Sequence, residues 1–293
     1  MWLLFVWSQL PAPICDIIKQ LIEEYMEANE MATGRMEFHA RTIRQHTNFC
    51  FVFPNDVEME EVLDKRYYDR GPMNLILLHG LTGTDTDWLY GGNAQEMAIQ
   101  YNLNIFMPTA GNTFYLDQDR KEGKYATFIA RELPDYIRQT FGIDMNRDNT
   151  LIGGLSMGGY GAIHTALAYP DRFKACLALS SAIHIRDIAE EMKSGVGGAI
   201  SVELSREIFG DPDKLVASDK NPEVQYRQLL EKKADIPRIY LACGTEDDLI
   251  GANRSFGVFL KEQGADHVYE EGPGAHNWTF WREYLDRGLR CLI

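Results

Sequence analysis

The stretch Leu151-Ile152-Gly153-Gly154-Leu155-Ser156-Met157-Gly158-Gly159-Tyr160-Gly161 constrains this chain more than any other. An apolar run leads into it, a serine stands between glycines at the G-x-S-x-G spacing, and small residues lead away. A nucleophilic serine needs a tight strand-to-helix turn that lifts its hydroxyl clear of the sheet. Gly154 and Gly158 remove the side chains that would collide across such a turn. A phosphate loop would require Lys and then Ser or Thr after its last glycine, whereas Gly158 is followed by Gly159. No G-x-G-x-x-G dinucleotide pattern fits either. The plainer alternative, an ordinary serine in a glycine-rich loop, gives way only if a base and an acid follow downstream.

The surroundings suit an elbow of this kind. Two β-like runs, 36–40 and 48–54, predict an antiparallel opening pair. Residues 74–78 form a continuous apolar run, as expected of a strand buried on both faces. Shorter runs follow at 103–108, 150–154, 173–179, 238–243 and 267–270, mostly separated by helix-length segments such as 124–141. Strands alternating with helices predict an α/β fold with a mainly parallel central sheet covered on both faces. Between two of these strands, residues 184–235 run through mixed polar and amphipathic sequence punctuated by Gly195, Gly197, Gly198, Pro212 and Pro222. A segment of that length predicts a helical lid rather than an idle loop.

The first residues stand apart. Met1 to Trp7 are apolar yet too short to span a bilayer, and they lack the positive region of a secretory leader. Ile14, Ile17, Ile18, Leu21, Ile22, Tyr25 and Met26 then recur at helical spacing. Residues 1–33 therefore read as an amphipathic extension, suited to contact with a second copy of the chain, and residues 34–293 as one domain. The formal net charge of −14 excludes a nucleic-acid partner, whose phosphates demand a basic face. The five cysteines include no C-x-x-C pair, so neither a zinc site nor a dithiol centre is expected, and a reducing, cytoplasmic setting is. No metal, no cofactor and no membrane span are expected.

A serine hydroxyl becomes a useful nucleophile only when a neighbouring base takes its proton. In a strand-turn-helix hydrolase the partners follow in the order Ser, acid, His. His267 opens a short strand, whereas His276 lies in the loop Gly272-Pro273-Gly274-Ala275-His276-Asn277-Trp278, which can swing an imidazole over the elbow. His276 is the expected base. The acid should follow the strand near 238–243, where Gly244-Thr245-Glu246-Asp247-Asp248 offers adjacent carboxylates. Asp247 is chosen with Asp248 in reserve, because spacing does not separate neighbouring acids. Its task is to fix the imidazole tautomer and stabilise the imidazolium. The oxyanion requires backbone donors: Met157, immediately after the nucleophile, and Leu81 in the loop His79-Gly80-Leu81-Thr82-Gly83. His79 precedes Ser156, contrary to the usual order, and reads as a brace for that loop.

The ordered set of the His79–Gly83 loop, the Gly154–Gly159 elbow, the Gly244–Asp247 turn and Pro273-Gly274-Ala275-His276 resembles the Putative esterase family of α/β hydrolases. Tributyrin and acetyl esterases, feruloyl esterases, S-formylglutathione hydrolases and mycolyltransferases belong to it. The resemblance runs from about Arg35 to the C-terminus, implies an α/β-hydrolase fold, and aligns the family's acid with Asp247. It also implies a substrate contact for Tyr115, in Gly111-Asn112-Thr113-Phe114-Tyr115, and Trp88 is a further substrate-binding candidate. Leu155 departs from the S-formylglutathione hydrolases, which usually place histidine before the nucleophile. The expected activity is hydrolysis of short to medium acyl or feruloyl-type esters through an acyl-enzyme. Its rivals are acyl transfer, S-formylglutathione hydrolysis, or an inactive binding module on the same fold.

Overall fold

Eight strands form one sheet in the order β1-β2-β4-β3-β5-β6-β7-β8 in the computed structural model, which describes residues 32–55, 57–60, 62–118 and 123–293. The expected N-terminal extension, and the contact with a second copy proposed for it, lie almost wholly outside the described residues. β1 (Ala32–Ala40) and β2 (Gln45–Phe53) make the antiparallel opening pair, and β2 runs antiparallel to β4 (Leu103–Pro108). β1 begins at Ala32, two residues ahead of the expected boundary. From β4 onward the sheet is parallel: β3 (Met73–Leu78), β5 (Thr150–Leu155), β6 (Ala175–Leu179), β7 (Arg238–Gly244) and β8 (His267–Gly272).

The period of two along each strand divides the core into two layers. On β3, Ile76 and Leu78 face a layer with Phe106, Ile152 and Ile163, whereas Leu75 and Leu77 face Leu151, Leu177 and Leu285 on the other side. All six residues of β3 are buried, which is why its sequence shows no alternation. Each fully buried Leu or Ile contributes about 1.5–3 kcal/mol. The central strands need no polar face because helices cover both.

Those helices are α1 (Asp87–Gly91), α2 (Ala94–Tyr101), α3 (Tyr125–Thr127), α4 (Leu133–Phe141), α5 (Met157–Ala168), α6 (Ile185–Ser194), α7 (Val202–Phe209), α8 (Pro212–Leu215), α9 (Pro222–Glu231), α10 (Ile250–Glu262) and α11 (Trp278–Leu292). The predicted helix over 124–141 is interrupted. α3 passes into α4 through a π-helical turn, Phe128–Glu132, just ahead of Pro134. Proline has no N–H for the carbonyl four residues back. Ala130 supplies that carbonyl, and Arg172 Nε donates to it instead at 2.9 Å.

Helices α6 to α9 fill the predicted insertion between β6 and β7. Ile185, Ile188, Ala189 and Met192 bury one stripe of α6. The prolines that punctuate the segment turn out to start helices. Asp211 and Asn221 cap the helices that open at Pro212 and Pro222, where a missing N–H does no harm. Tyr160 Oη donates to the Lys220 carbonyl at 2.6 Å and Gln225 Nε2 to the His164 carbonyl at 3.3 Å, joining the insertion to α5. Among the described residues, no helix is long and apolar enough to cross a membrane.

Candidate active site

At the carboxyl end of β5 the chain turns through Ser156, whose φ of +56° and ψ of −119° lie where a residue with a Cβ is strained. The turn holds because its backbone is tied down: Ser156 N donates to the Leu179 carbonyl at 2.8 Å, and the Ser156 carbonyl accepts from Ala182 N at 3.0 Å. Close approach explains the flanking glycines. A Cβ on Gly154 would lie 2.4 Å from the Gly158 carbonyl oxygen, and one on Gly158 would lie 2.3 Å from that of Leu78. The first turn of α5 therefore sits directly on β3 and β5. The Met157 amide heads that helix, where no intrahelical acceptor exists.

The loop after β3 supplies the second amide. Leu81 lines the same cavity as Ser156, and its N–H has no acceptor among the described residues. Its neighbours are fixed: Thr82 N donates to Asn112 Oδ1 at 2.7 Å, and Gly83 N to the Gly80 carbonyl at 3.2 Å. His79 is the brace beneath. Its Nδ1 lies 2.7 Å from the Gly80 carbonyl, and its Nε2 accepts from Ala110 N at 3.0 Å. Those two contacts demand the neutral Nδ1–H tautomer, and burial pushes the His79 pKa down in agreement.

Asp247 and His276 meet across two loops, with Oδ2 to Nδ1 at 2.8 Å. The Asp247 side chain is fully buried, and burial alone would raise its pKa. Hydrogen bonding by His276, the Leu249 amide and the Ser180 hydroxyl outweighs burial and leaves the carboxyl below its ordinary value. The neighbouring acids have other positions. Glu246 accepts from Gly274 N while its own amide donates to the Gly274 carbonyl at 3.0 Å, clamping the loop that carries His276. Asp248 is exposed at the cavity wall. The imidazole is thus held from both ends of one loop, with Asn277 capping α11 immediately after it.

Ser156, Asp247, His276 and Leu81 converge on a cavity of about 520 Å³. Its apolar wall includes Phe114, Ile188, Ile200, Trp278 and Trp281; its acidic residues are Asp87, Glu191, Asp247 and Asp248, and among the described residues no Lys or Arg lines it. Two expected substrate contacts need correction. Tyr115 is wholly buried, with its ring against Gly161 and its hydroxyl donating to the His79 carbonyl at 3.0 Å. Trp88 is wholly buried as well, and its Nε1 donates to the Leu78 carbonyl at 2.9 Å. Both hold the loop after β3 from behind, out of a substrate's reach. The aromatic residues that do face the cavity are Phe114, Trp278 and Trp281, of which the last two follow His276 one helical turn apart. The i, i+3 spacing of the two tryptophans directly after His276 is the signal the sequence offers for them. Among the described residues, no group of His, Cys, Asp and Glu is arranged to hold a metal ion.

A family model described as "Putative esterase" matches residues 63–292. The chain is 38% identical over 262 residues to an acetyl esterase of Caldicellulosiruptor saccharolyticus, covering 89% of this chain and 98% of that one. Among solved structures, the fluorophosphonate-binding serine hydrolase FphF of Staphylococcus aureus shares the fold with a TM-score of 0.76 at 24% identity, over 90% of this chain and 99% of that one. An S-formylglutathione hydrolase of the same organism superposes with a TM-score of 0.74 at 25% identity, over 90% of this chain and 99% of its own.

Proposed function

Because the chain belongs to the Putative esterase family and is a serine carboxylesterase of the α/β-hydrolase fold, we propose that Ser156, His276 and Asp247 hydrolyse short, uncharged acyl esters through an acyl-enzyme. The observation that carries the assignment is the 2.8 Å pair of Asp247 and His276 on the wall of the cavity that Ser156 also lines.

Ser156 Oγ attacks the ester carbonyl as His276 Nε2 takes its proton. The amides of Leu81 and Met157 receive the oxyanion, each donor being worth about 2.7–4 kcal/mol to the transition state. Collapse of the tetrahedral intermediate breaks the ester bond. The departing alcohol takes the proton from His276 and leaves an acyl group on Ser156. Water then repeats the sequence, giving up a proton to His276 as it attacks, and Ser156 regains its proton when the acid leaves. Asp247 keeps the imidazole in the Nδ1–H tautomer throughout.

The charge of the cavity supports the choice of substrate. Four carboxylates line it and, among the described residues, no Lys or Arg does, so an anionic substrate such as S-formylglutathione meets repulsion. The apolar wall and a volume of about 520 Å³ suit a small acyl group on a neutral alcohol. The buried free thiols Cys50, Cys176 and Cys243 support work in a reducing compartment such as the cytoplasm.

Steady-state hydrolysis of 4-nitrophenyl esters of graded chain length, beside methyl ferulate and S-formylglutathione, tests the reading. Acetyl to butyryl esters should give the highest kcat/KM, and Ser156→Ala should lose on the order of 10⁶-fold in kcat. Retention of most activity by that variant, or a preference for S-formylglutathione, overturns it. Acylated glycerol outweighing free acid when glycerol is added would identify an acyltransferase instead.

A further inference from the structure

We propose that a second cavity, framed by the starts of α6, α9 and α10, receives the alcohol half of the ester, and that this alcohol is neutral and carries several hydroxyls. The inference names a substrate class for the site described above and rests on the serine-esterase reading.

The second cavity holds about 520 Å³ and adjoins the reaction cavity. His184, Glu191, Asp248 and Leu249 line both, forming a common wall. Its place in the reaction follows from the path of the proton. His276 must hand that proton to the departing oxygen, so the alcohol leaves on the imidazole's side of Ser156, away from the oxyanion amides. Asp248 and Leu249 directly follow Asp247, which holds the imidazole, whereas Gly80 and Leu81 of the oxyanion loop line the reaction cavity alone. The second cavity therefore opens on the side where the alcohol departs. The apolar wall of Phe114, Ile188 and Ile200 is left to the acyl group.

The lining sets the chemistry of the occupant. Three helices begin here: Asn221 caps α9 with its side chain, but neither α6 nor α10 has a side-chain cap. The amides of Gly251 and Ala252, in the first turn of α10, have no acceptor among the described residues. The Arg186 guanidinium adds further donors, and the carboxylates of Asp187, Glu191, Glu223 and Asp248 supply acceptors. In the common wall, His184 Nδ1 is buried and has no partner among the described residues. Burial also pushes the His184 pKa below its ordinary value, so the ring brings no charge.

A hydroxyl answers both kinds of group, donating to a carboxylate and accepting from an amide or a guanidinium. The alternatives fit less well. Four carboxylates against one guanidinium repel an anionic alcohol, while Arg186, 3.9 Å from Glu223, stands against a cationic one. A hydrocarbon would cover these donors and acceptors and leave them unpaired.

The experiment compares acetates that share the acyl group and differ in the alcohol: a singly acetylated methyl glycoside, cyclohexyl acetate, acetylcholine and methyl acetate. All give the same acetyl-enzyme, so differences in kcat/KM report the alcohol. The glycoside acetate should exceed cyclohexyl acetate, a ring of similar shape without hydroxyls, by more than about tenfold. Ala252→Trp, which fills the second cavity, should lower the ratio of glycoside acetate to methyl acetate by more than about tenfold. Arg186→Ala should lower the same ratio about fivefold, the worth of one hydrogen bond, and it reads the cavity should Ala252→Trp not fold. A glycoside acetate no better than cyclohexyl acetate, a preference for acetylcholine, or a ratio unmoved by the variants overturns the proposal. Its failure is distinct from that of the esterase reading: Ser156→Ala retaining activity sinks the triad, whereas an unmoved ratio with Ser156→Ala inactive sinks only the alcohol site.

Discussion

The two sides of the cavity are built on different principles. On the reaction side, hydrogen bonds to backbone amides and carbonyls fasten each loop: Ser156 to the backbone of Leu179 and Ala182, the Gly274 amide to the Glu246 side chain, the Thr82 amide to the Asn112 side chain. On the insertion side, α6 and the segment before α7 meet the cavity mainly through the apolar side chains of Ile188, Ala199 and Ile200, beside the Glu191 carboxylate. The chain between them, Gly195 to Gly198, is exposed. Directional contacts specify geometry to a fraction of an ångström, whereas apolar contacts tolerate exchange of one shape for another of similar volume. On the function proposed here, reaction chemistry therefore belongs to the first side and substrate choice to the second.

Substitutions on each side break or sharpen that division. The largest effect falls on the carboxylate behind the base. Asp247→Asn should lower kcat about 10⁴-fold by supporting the wrong tautomer, while Asp248→Asn leaves kcat within the same order of magnitude. Equal losses in steady-state assays would mean the two acids share the role. Next comes Gly158→Ala, which pushes a methyl group into the Leu78 carbonyl. It should cost about 3 kcal/mol of stability, measured by denaturant unfolding, and an unchanged midpoint would mean the elbow can relax.

The seam between the two sides gives a pH signature. His164 is fully buried against Tyr160 on α5, its Nδ1 lacks a partner among the described residues, and burial pushes its pKa down from 6.5 to about 4. The unfolded chain binds that proton more readily. The stability present above pH 6.5 is therefore lost as pH falls toward about 4, by up to about 1.4 kcal/mol per unit. His164→Gln should flatten that part of a stability profile, and an identical slope in both proteins would refute the assignment. The smallest effect lies on the insertion. Ile188→Ala should shift the ratio of hexanoyl to acetyl ester kcat/KM by about tenfold toward the longer chain, with acetyl turnover nearly unchanged.

The same division governs what the sequence discloses. The elbow is readable because its glycines answer a backbone collision that any chain with this turn would meet. The parallel strands are readable from β3, whose unbroken apolar run follows from burial on both faces. Asp247 and Asp248 differ by one position, and only the folded turn decides which one points inward; the family resemblance, not the spacing, favoured Asp247. Tyr115 and Trp88 are expected at the substrate but lie buried, because an aromatic beside such a loop can face the ligand or support the loop from behind. A buried hydroxyl or indole N–H finds a backbone carbonyl in the second case, and nothing in the local sequence distinguishes them. Trp278 and Trp281 line the cavity instead, and their helical spacing after His276 is legible in the sequence. The lid over 184–235 is legible as a segment, but which of its side chains line the cavity with Ser156 is not, since they lie many residues away along the chain.

The backbone at Ser156 leaves a trace in the energetics of the whole fold. Every folded molecule holds that residue in a conformation disfavoured by about 1–3 kcal/mol, whether or not an ester is present. Glycine at this position would relax the bend, so the inert protein would be the sturdier one. Resilience and reactivity are set against each other here at a single pair of torsion angles.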